Sequence, residues 1–225
     1  MRHQIVSFLA QLAGKTFLRS VGRCAYRSLR RLFFSMNSVA PGGVIFTGDS
    51  LIDQWTSLTT DFPYLKAVNR GISGDISTQL LRRFNDDILM YQPSAIVILI
   101  GTNDLVDGVS SARVAACLCK ILALIASSRP GIPIVICHIT PRTPELGKFP
   151  EKIRNLNFRI DRLALQRSHV STCDTFSPLA TASGGCRDDC FVDGLHLSPK
   201  GYKVLAATLK EHFEKFPPLP ATAAM

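Results

Sequence analysis

The amino-acid sequence predicts a doubly wound α/β sandwich, in which helices cover both faces of about five parallel strands. Short and almost wholly apolar runs recur from residue 44 onward, as is typical of strands that are buried on both faces. Segments with apolar residues at intervals of three and four separate these runs, which indicates crossover helices. The length of 225 residues suits one domain with a sizeable core.

The strongest predicted strand is Ser94–Ile100, because it is nearly all apolar and rich in isoleucine. Ile132–Ile139 is a second apolar run, and it is bounded by Pro130-Gly131 and by Pro141, which interrupt regular structure. Three shorter runs complete the five predicted strands: Val44–Thr47, Lys66–Asn69 and Val170–Asp174.

The segments between the strands are predicted as helices from the spacing of their apolar residues. They are Ser77–Arg83, Asp86–Tyr91, Ser111–Ser127, Pro150–Arg167 and Lys200–Phe213. Strands joined by such helices form a three-layer, flavodoxin-like sandwich, in which ligands bind at the carboxyl ends of the strands. We therefore expect functional residues in the segments that directly follow each strand.

An extra amphipathic helix is predicted before the first strand. Apolar residues recur at helical spacing over residues 4–36, and a stripe of arginines runs beside them. The stripe consists of Arg19, Arg23, Arg27 and Arg30. Three interpretations remain open: a helix on an anionic membrane surface, an organelle transit segment, or a helix packed on the domain with solvated arginines. The protein is accordingly expected in the cytoplasm, at a membrane surface or in an organelle.

The domain organisation follows from this pattern. Residues 1–43 form the basic helix and a linker at Ser38–Gly43, residues 44–214 form the α/β domain, and residues 215–225 form a tail.

The net charge of +9 lies mostly in the first 48 residues, which contain seven basic residues and no acidic one. From Asp49 onward, 19 lysines and arginines face 17 acidic residues, a balance of +2. A nearly neutral domain argues against a nucleic-acid partner, and the absence of an apolar run of about 18 residues predicts no transmembrane helix.

The seven cysteines are odd in number, and Cys117, Cys119 and Cys137 lie in apolar segments. Buried free thiols in a reducing compartment explain this pattern. Cys186 and Cys190 share a polar loop, where a local disulfide and a metal site both remain open. The spacing lacks the second ligand pair that zinc requires, so we expect no metal and no cofactor.

Ser50 follows the first predicted strand, where its hydroxyl would lie at the carboxyl edge beside a helix N-terminus. Asp193 and His196 are three residues apart, so the carboxylate can accept from Nδ1 while Nε2 takes a proton from the serine. Gly74 and Asn103 follow two further strands, and with the N–H of Ser50 they can donate hydrogen bonds to an oxyanion. Taken singly, these residues are also explained as an N-cap serine, a packed histidine, a glycine turn and an Asx-turn.

Together, the four segments resemble the SGNH, or GDSL-type, hydrolase superfamily of lipases, esterases and thioesterases. The matching blocks are Phe46–Leu51, Asn69–Asp75, Gly101–Asp104 and Asp193–His196. The resemblance spans roughly residues 44–214 and implies Ser50 as nucleophile, Asp193 and His196 as acid and base, and Ser50, Gly74 and Asn103 as the oxyanion hole. Trp55 is similar to a residue of the branch that includes lysophospholipase/thioesterase and platelet-activating-factor acetylhydrolase enzymes. No Gly-x-Ser-x-Gly elbow occurs, which disfavours the larger α/β-hydrolase fold.

The resemblance implies a metal-free serine esterase that hydrolyses carboxylic or thio esters of small molecules, including lipid or short-chain acyl esters. A carbohydrate O-acetyl esterase or acetyltransferase and a non-catalytic scaffold with the same fold are the alternatives. Compact relatives begin near the first strand, so the N-terminal helix is a departure that leaves membrane contact through residues 4–36 and the oligomeric state open. The loops 104–110 and 140–150 are expected to set the width of the pocket, with Thr140–Lys148 at its rim.

Overall fold

The computed structural model describes residues 21–37, 39–143 and 149–216. The first part of the predicted amphipathic helix (residues 4–20), residues 144–148 of the rim and the tail from residue 217 lie outside this range. The predicted fold class is confirmed, since the sheet has five strands in the order β2-β1-β3-β4-β5 and every neighbouring pair is parallel. The strands are β1 Val44–Gly48, β2 Val68–Gly71, β3 Ala95–Leu99, β4 Ile134–Cys137 and β5 Val170–Cys173.

Helices lie on both faces of this sheet, and within the described residues short turns of 3₁₀ helix follow Ile88, Phe176 and Arg187. The helices are α1 Val21–Met36, α2 Ser50–Asp53, α3 Leu58–Asp61, α4 Ser77–Asp87, α5 Thr102–Val106, α6 Ser111–Ser128, α7 Phe149–Ala164 and α8 Pro199–Lys215. The 3₁₀ turns span Leu89–Tyr91, Ser177–Leu179 and Asp188–Cys190.

Alternation along the strands divides the core into two layers. In β3, the side chains of Val97 and Leu99 pack in one layer with α2, α3 and α8. Ile96 and Ile98 pack in the other layer with α4, α6 and α7. Both faces are therefore apolar, which explains why the strands lack a polar alternation in the sequence.

The strand order reverses between β1 and β3, because the chain adds β2 on one side of β1 and then β3 on the other. In doubly wound sheets the ligand crevice forms at this switch point, outside the carboxyl ends of the strands. The segments that follow β1 and β3 begin with Asp49 and Ile100, so Ser50 and Asn103 flank the switch point.

The structure corrects several predicted boundaries. The second strand runs from Val68 to Gly71 rather than from Lys66 to Asn69. Lys66 adopts a φ of +47°, a left-handed conformation that a strand cannot contain. Asn69, Arg70 and Gly71 consequently belong to β2 itself instead of following it.

Two more segments differ from the prediction. Residues 77–91 form one helix, α4, and a 3₁₀ turn in place of two helices, because the backbone leaves the helical region only at Ile88. The fourth strand is shorter than predicted because Ile134–Cys137 is the part that pairs with β5.

Helix α6 has the length and apolar composition of a membrane span, with a mean hydropathy of 1.5. The sequence has no uninterrupted apolar run of this length, since Lys120 lies inside the helix. One face of the helix, with Val114, Leu118 and Ile121, is buried in the core layer that contains α4 and α7. A core helix of a globular domain therefore accounts for the composition.

The seven cysteines are free thiols, and Cys186 and Cys190 are both buried. The disulfide that remained open for this pair is not formed. Within the described ranges, His, Cys, Asp and Glu side chains form no group of three or more that could hold a metal ion.

Helix α1 packs on the domain, as the third interpretation of the arginine stripe expected, but three of its arginines pair with carboxylates instead of being simply solvated. Arg27, Arg30 and Arg31 each pair with a carboxylate of the domain, at N–O distances of 2.8, 2.8 and 2.9 Å. Their partners are Asp75, Asp53 and Asp87, respectively. The helix also covers the guanidinium of Arg70, which lies between the rings of Phe34 and Tyr91 at 4.6 and 4.2 Å.

Candidate active site

The turn from β1 to α2 presents Ser50 at the carboxyl edge of the sheet. Gly48 ends the strand beside β3, where an added Cβ would lie 1.9 Å from the carbonyl oxygen of Leu99. Asp49 then caps the helix, because its carboxylate accepts the N–H of Leu51 at 3.0 Å. The N-cap role is thus taken by Asp49, and the Ser50 hydroxyl is available for another purpose.

Ser50, His196 and Asp193 form one chain of hydrogen bonds. The Ser50 Oγ lies 3.1 Å from Nε2 of His196, and Nδ1 of His196 lies 2.8 Å from Oδ2 of Asp193. An ionised carboxylate only accepts, so Nδ1 carries the proton and Nε2 offers its lone pair to the serine hydroxyl. These distances lie within the range required for general-base catalysis.

The loop between Cys190 and α8 holds Asp193 in place. Its Oδ1 accepts the backbone N–H groups of Leu195 at 3.1 Å and of His196 at 2.7 Å. Partial burial acts to raise the pKa of Asp193, but the hydrogen bonds from the N–H and imidazole of His196 outweigh it and leave this pKa below its usual value. Gly194 packs against Thr143, since an added Cβ would lie 2.4 Å from that side chain.

The three predicted oxyanion donors lie in the segments that follow β1, β2 and β3. Asn103 donates from Nδ2 to the carbonyl oxygen of Asp75 at 3.0 Å, so its side chain bridges to another segment rather than closing a local Asx-turn. This bond uses one of the two N–H groups of the amide, and the other can serve an oxyanion. The hydrogen bonds among the described residues leave the N–H groups of Ser50 and Gly74 without an acceptor. Gly74 has a φ of +80°, which a residue with a Cβ rarely adopts.

A sequence profile of the GDSL-like lipase/acylhydrolase family matches residues 42–204, well over half of the chain. The chain belongs to this family. The acylhydrolase is accordingly an enzyme that hydrolyses ester bonds. The resemblance found in the four sequence blocks is confirmed.

Solved structures with a similar fold include proteins described as a GDSL-like lipase and as an acetylxylan esterase. A Streptococcus pneumoniae protein provisionally described as a platelet activating factor is 28% identical, with a TM-score of 0.75 over 84% of this chain and 92% of its own. A GDSL-like lipase from Bacteroides thetaiotaomicron is 23% identical, with a TM-score of 0.72 over 86% and 98% of the two chains. A catalytic mutant of an acetylxylan esterase from Geobacillus stearothermophilus is 17% identical, with a TM-score of 0.62 over 82% and 100%. The search of curated proteins found no significant match.

Buried carboxylates that are not among the predicted site residues surround the site of the acylhydrolase. Asp104 accepts both the N–H and the hydroxyl of Ser77, at 2.8 and 2.6 Å, and so ties α5 to the start of α4. Asp53 and Asp75 are contacted by α1. Asp75 and Asp104 are the last residues of two family blocks, and Asp53 lies two residues after a third. This position beside the blocks was the signal that the sequence offered.

A second histidine also has carboxylate partners. His138 directly follows β4, where its Nε2 lies 2.8 Å from Asp161 and its Nδ1 lies 3.5 Å from Asp174. Both ring nitrogens face carboxylates here, so this histidine lacks the free nitrogen that a general base requires.

The stability of the acylhydrolase is expected to depend on the ionisation of Asp49. Burial raises the pKa of this carboxyl to about 7; the N–H of Leu51 opposes the shift and the charge of Asp75 adds to it. The ordinary pKa in the unfolded chain is about 3.9. The folded state therefore binds more protons between about pH 4 and pH 7, and the free energy of unfolding falls as the pH rises through this window.

The variant Asp49→Asn keeps an acceptor for Leu51 and removes the charge. Its free energy of unfolding relative to the wild type should increase by roughly 2–4 kcal/mol between pH 4 and pH 8. Denaturant unfolding at several pH values measures this difference, with the exposed Asp188→Asn as control. A difference that does not change with pH would contradict the assignment.

Proposed function

We propose that this acylhydrolase is a serine esterase that uses Ser50, His196 and Asp193 as its catalytic triad. The observation that carries the proposal is the continuous chain of hydrogen bonds from the Ser50 hydroxyl through both nitrogens of His196 to Asp193. A nucleophile, a base and a group that orients the base are the minimum for serine catalysis of acyl transfer.

The reaction begins when Nε2 of His196 takes the proton of the Ser50 hydroxyl as Oγ attacks the carbonyl carbon of the ester. The negative charge that develops on the carbonyl oxygen is stabilised by the N–H groups of Ser50 and Gly74 and by the free amide N–H of Asn103. The intermediate then expels the alcohol or thiol, which receives the proton from His196. Water, deprotonated by His196, hydrolyses the acyl-enzyme and restores the free hydroxyl of Ser50.

We propose a carboxylic or thio ester with a lipid or short-chain acyl group as substrate. Hydrolysis of p-nitrophenyl esters from acetate to palmitate, together with labelling of Ser50 by a fluorophosphonate, tests the chemistry and ranks the chain lengths. Hydrolysis of acetylated sugars by the same protein tests the alternative of a carbohydrate O-acetyl esterase, which the fold similarity to an acetylxylan esterase suggests. Turnover of acetylated sugars alone would favour that alternative, while absence of labelling would contradict the serine mechanism.

We also propose that the outer face of α1 contacts a lipid surface. Leu29, Leu32 and Met36 lie on one side of the helix and are 54%, 55% and 68% exposed. The neighbouring Arg27, Arg30 and Arg31 are paired with carboxylates, so the apolar face rather than these charges would drive the contact.

Vesicle flotation of the full chain tests the lipid contact. The wild type should float with phosphatidylcholine vesicles, and a variant with serine at positions 29, 32 and 36 should not, because apolar burial at the interface is lost. The control is Ser28→Ala on the same exposed side of the helix. Equal flotation of the wild type and the triple variant would contradict the proposal.

A further inference from the structure

We infer that α1 positions the oxyanion-binding side of the site, with Arg27 as the positioning residue. The inference rests on the proposed function, because it concerns the donors Gly74 and Asn103. It also assigns a task to the helix that precedes the GDSL-like domain. Arg27 itself touches no reacting atom in this scheme and acts through Asp75.

The carboxylate of Asp75 is fully buried between two arginines. Arg27 donates from Nε to Oδ1 at 2.8 Å, and Arg83 donates from Nε to Oδ2 at 2.7 Å. Arg27 also donates from Nη2 to Gln79 on α4 at 2.6 Å. Arg27 bonds to one oxygen of this carboxylate and Arg83 bonds to the other. Because charge-assisted hydrogen bonds are strong in a buried setting, the two bonds fix the orientation of the carboxylate.

The main chain of Asp75 joins the two predicted oxyanion donors. Its carbonyl oxygen accepts from Nδ2 of Asn103 at 3.0 Å. Its N–H donates to the carbonyl of Ile72 at 3.1 Å and closes the turn that contains Gly74. The position of Asp75 therefore sets the direction of the Gly74 N–H and of the Asn103 amide together.

A second contact of α1 holds the other end of the same turn. Asp53 accepts from the hydroxyl of Tyr26 at 2.6 Å and pairs with Arg30 at 2.8 Å. The same carboxylate accepts the N–H and the hydroxyl of Ser73, at 2.9 and 2.6 Å. The turn from Ser73 to Asp75 is thus held at both ends by carboxylates that α1 contacts.

Loss of Arg27 should misalign the Gly74 N–H and the Asn103 amide. These donors stabilise the negative charge that develops in the transition state, so the binding of the ground-state ester should be affected much less. We expect Arg27→Gln to lower kcat about tenfold to a hundredfold, because a displacement near 1 Å in an active site has an effect of this order. KM should change less than about twofold. Arg27→Lys, which keeps the charge but not the planar fork, should recover part of the loss.

Arg31→Gln is the matched control, because it removes an arginine of the same helix. Arg31 pairs with Asp87 and Asp86 near the end of α4, and although Asp87 also lies 3.6 Å from Arg83, the variant keeps both direct partners of the Asp75 carboxylate. The kcat of Arg31→Gln should equal that of the wild type. Thermal melting of Arg27→Gln and Arg31→Gln compares the stability of the two variants. An equal fall of kcat in the two variants, or a rise of KM at unchanged kcat in Arg27→Gln, would overturn the inference.

A spectroscopic measurement separates this inference from the proposed function. The ¹⁵N side-chain amide signal of Asn103, identified by its loss in Asn103→Ala, should shift in Arg27→Gln and stay in place in Arg31→Gln. An unmoved signal in Arg27→Gln would overturn the positioning role whether or not esters are hydrolysed. A shifted signal in a protein that hydrolyses no ester would contradict the proposed function and support the positioning role.

Discussion

Replacement of Ser50 by alanine is expected to lower kcat/KM for ester hydrolysis by about 10⁴- to 10⁶-fold. The variant retains His196, Asp193 and the oxyanion donors but has no oxygen that can attack the carbonyl carbon. Only catalysis by water bound in the site would remain. A p-nitrophenyl ester that the wild type hydrolyses well provides the measurement.

Denaturant unfolding of Ser50→Ala tests whether loss of folding contributes to the fall in activity. The Ser50 hydroxyl contributes one hydrogen bond, to His196, so its removal should change the free energy of unfolding by only about 1 kcal/mol. Ser127→Ala removes an exposed hydroxyl that bonds to Leu124 and serves as control. A Ser50→Ala enzyme with more than a few per cent of wild-type activity would show that another residue is the nucleophile.

Replacement of Asn103 by alanine is expected to lower kcat by two to three orders of magnitude. This is the usual effect of removing one oxyanion donor, about 3–4 kcal/mol of transition-state stabilisation. The substitution also removes the bond from Nδ2 to the carbonyl of Asp75, and the turn that contains Gly74 loses a support. Because both effects act on the transition state, KM should change little.

The matched control is Asn155→Ala, which removes an exposed asparagine side chain of α7 that bonds to Ser111 and Arg159. Steady-state kinetics of the two variants on one ester separate kcat from KM. Fluorophosphonate labelling of Ser50 in Asn103→Ala, followed to completion, checks that the nucleophile is still present. An Asn103→Ala enzyme with wild-type kcat would remove this residue from the oxyanion hole.

The fold class and the candidate triad could be predicted because they depend on local patterns. Apolar strands such as Ser94–Ile100 indicate a parallel sheet, and carboxyl ends of parallel strands meet at one edge. Ser50 then falls at that edge, and the spacing of three between Asp193 and His196 predicts their pairing, without any knowledge of distances. The structure adds the separations of 3.1 and 2.8 Å that join their side chains.

Backbone geometry limited the prediction of boundaries. The run Lys66–Asn69 has the composition of a strand, but Lys66 takes a left-handed φ and the strand begins at Val68. Taken alone, the serine after β1 is explained by an N-cap, and only the hydrogen bond from the N–H of Leu51 to Asp49 identifies the capping residue. Composition over four or five residues does not determine a single backbone dihedral.

The amino-acid sequence alone is enough to predict a doubly wound α/β acylhydrolase with four family blocks and an arginine-rich helical segment before them. Only the folded chain shows that Arg27, Arg30 and Arg31 point towards carboxylates of the domain. The arginine stripe is compatible with a membrane surface, a transit segment and a packed helix, because helical periodicity describes only the helix. The partners Asp53, Asp75 and Asp87 lie between 23 and 56 residues further along the chain. Folding of the sheet brings these carboxylates together, and an ion pair forms only where two distant segments meet.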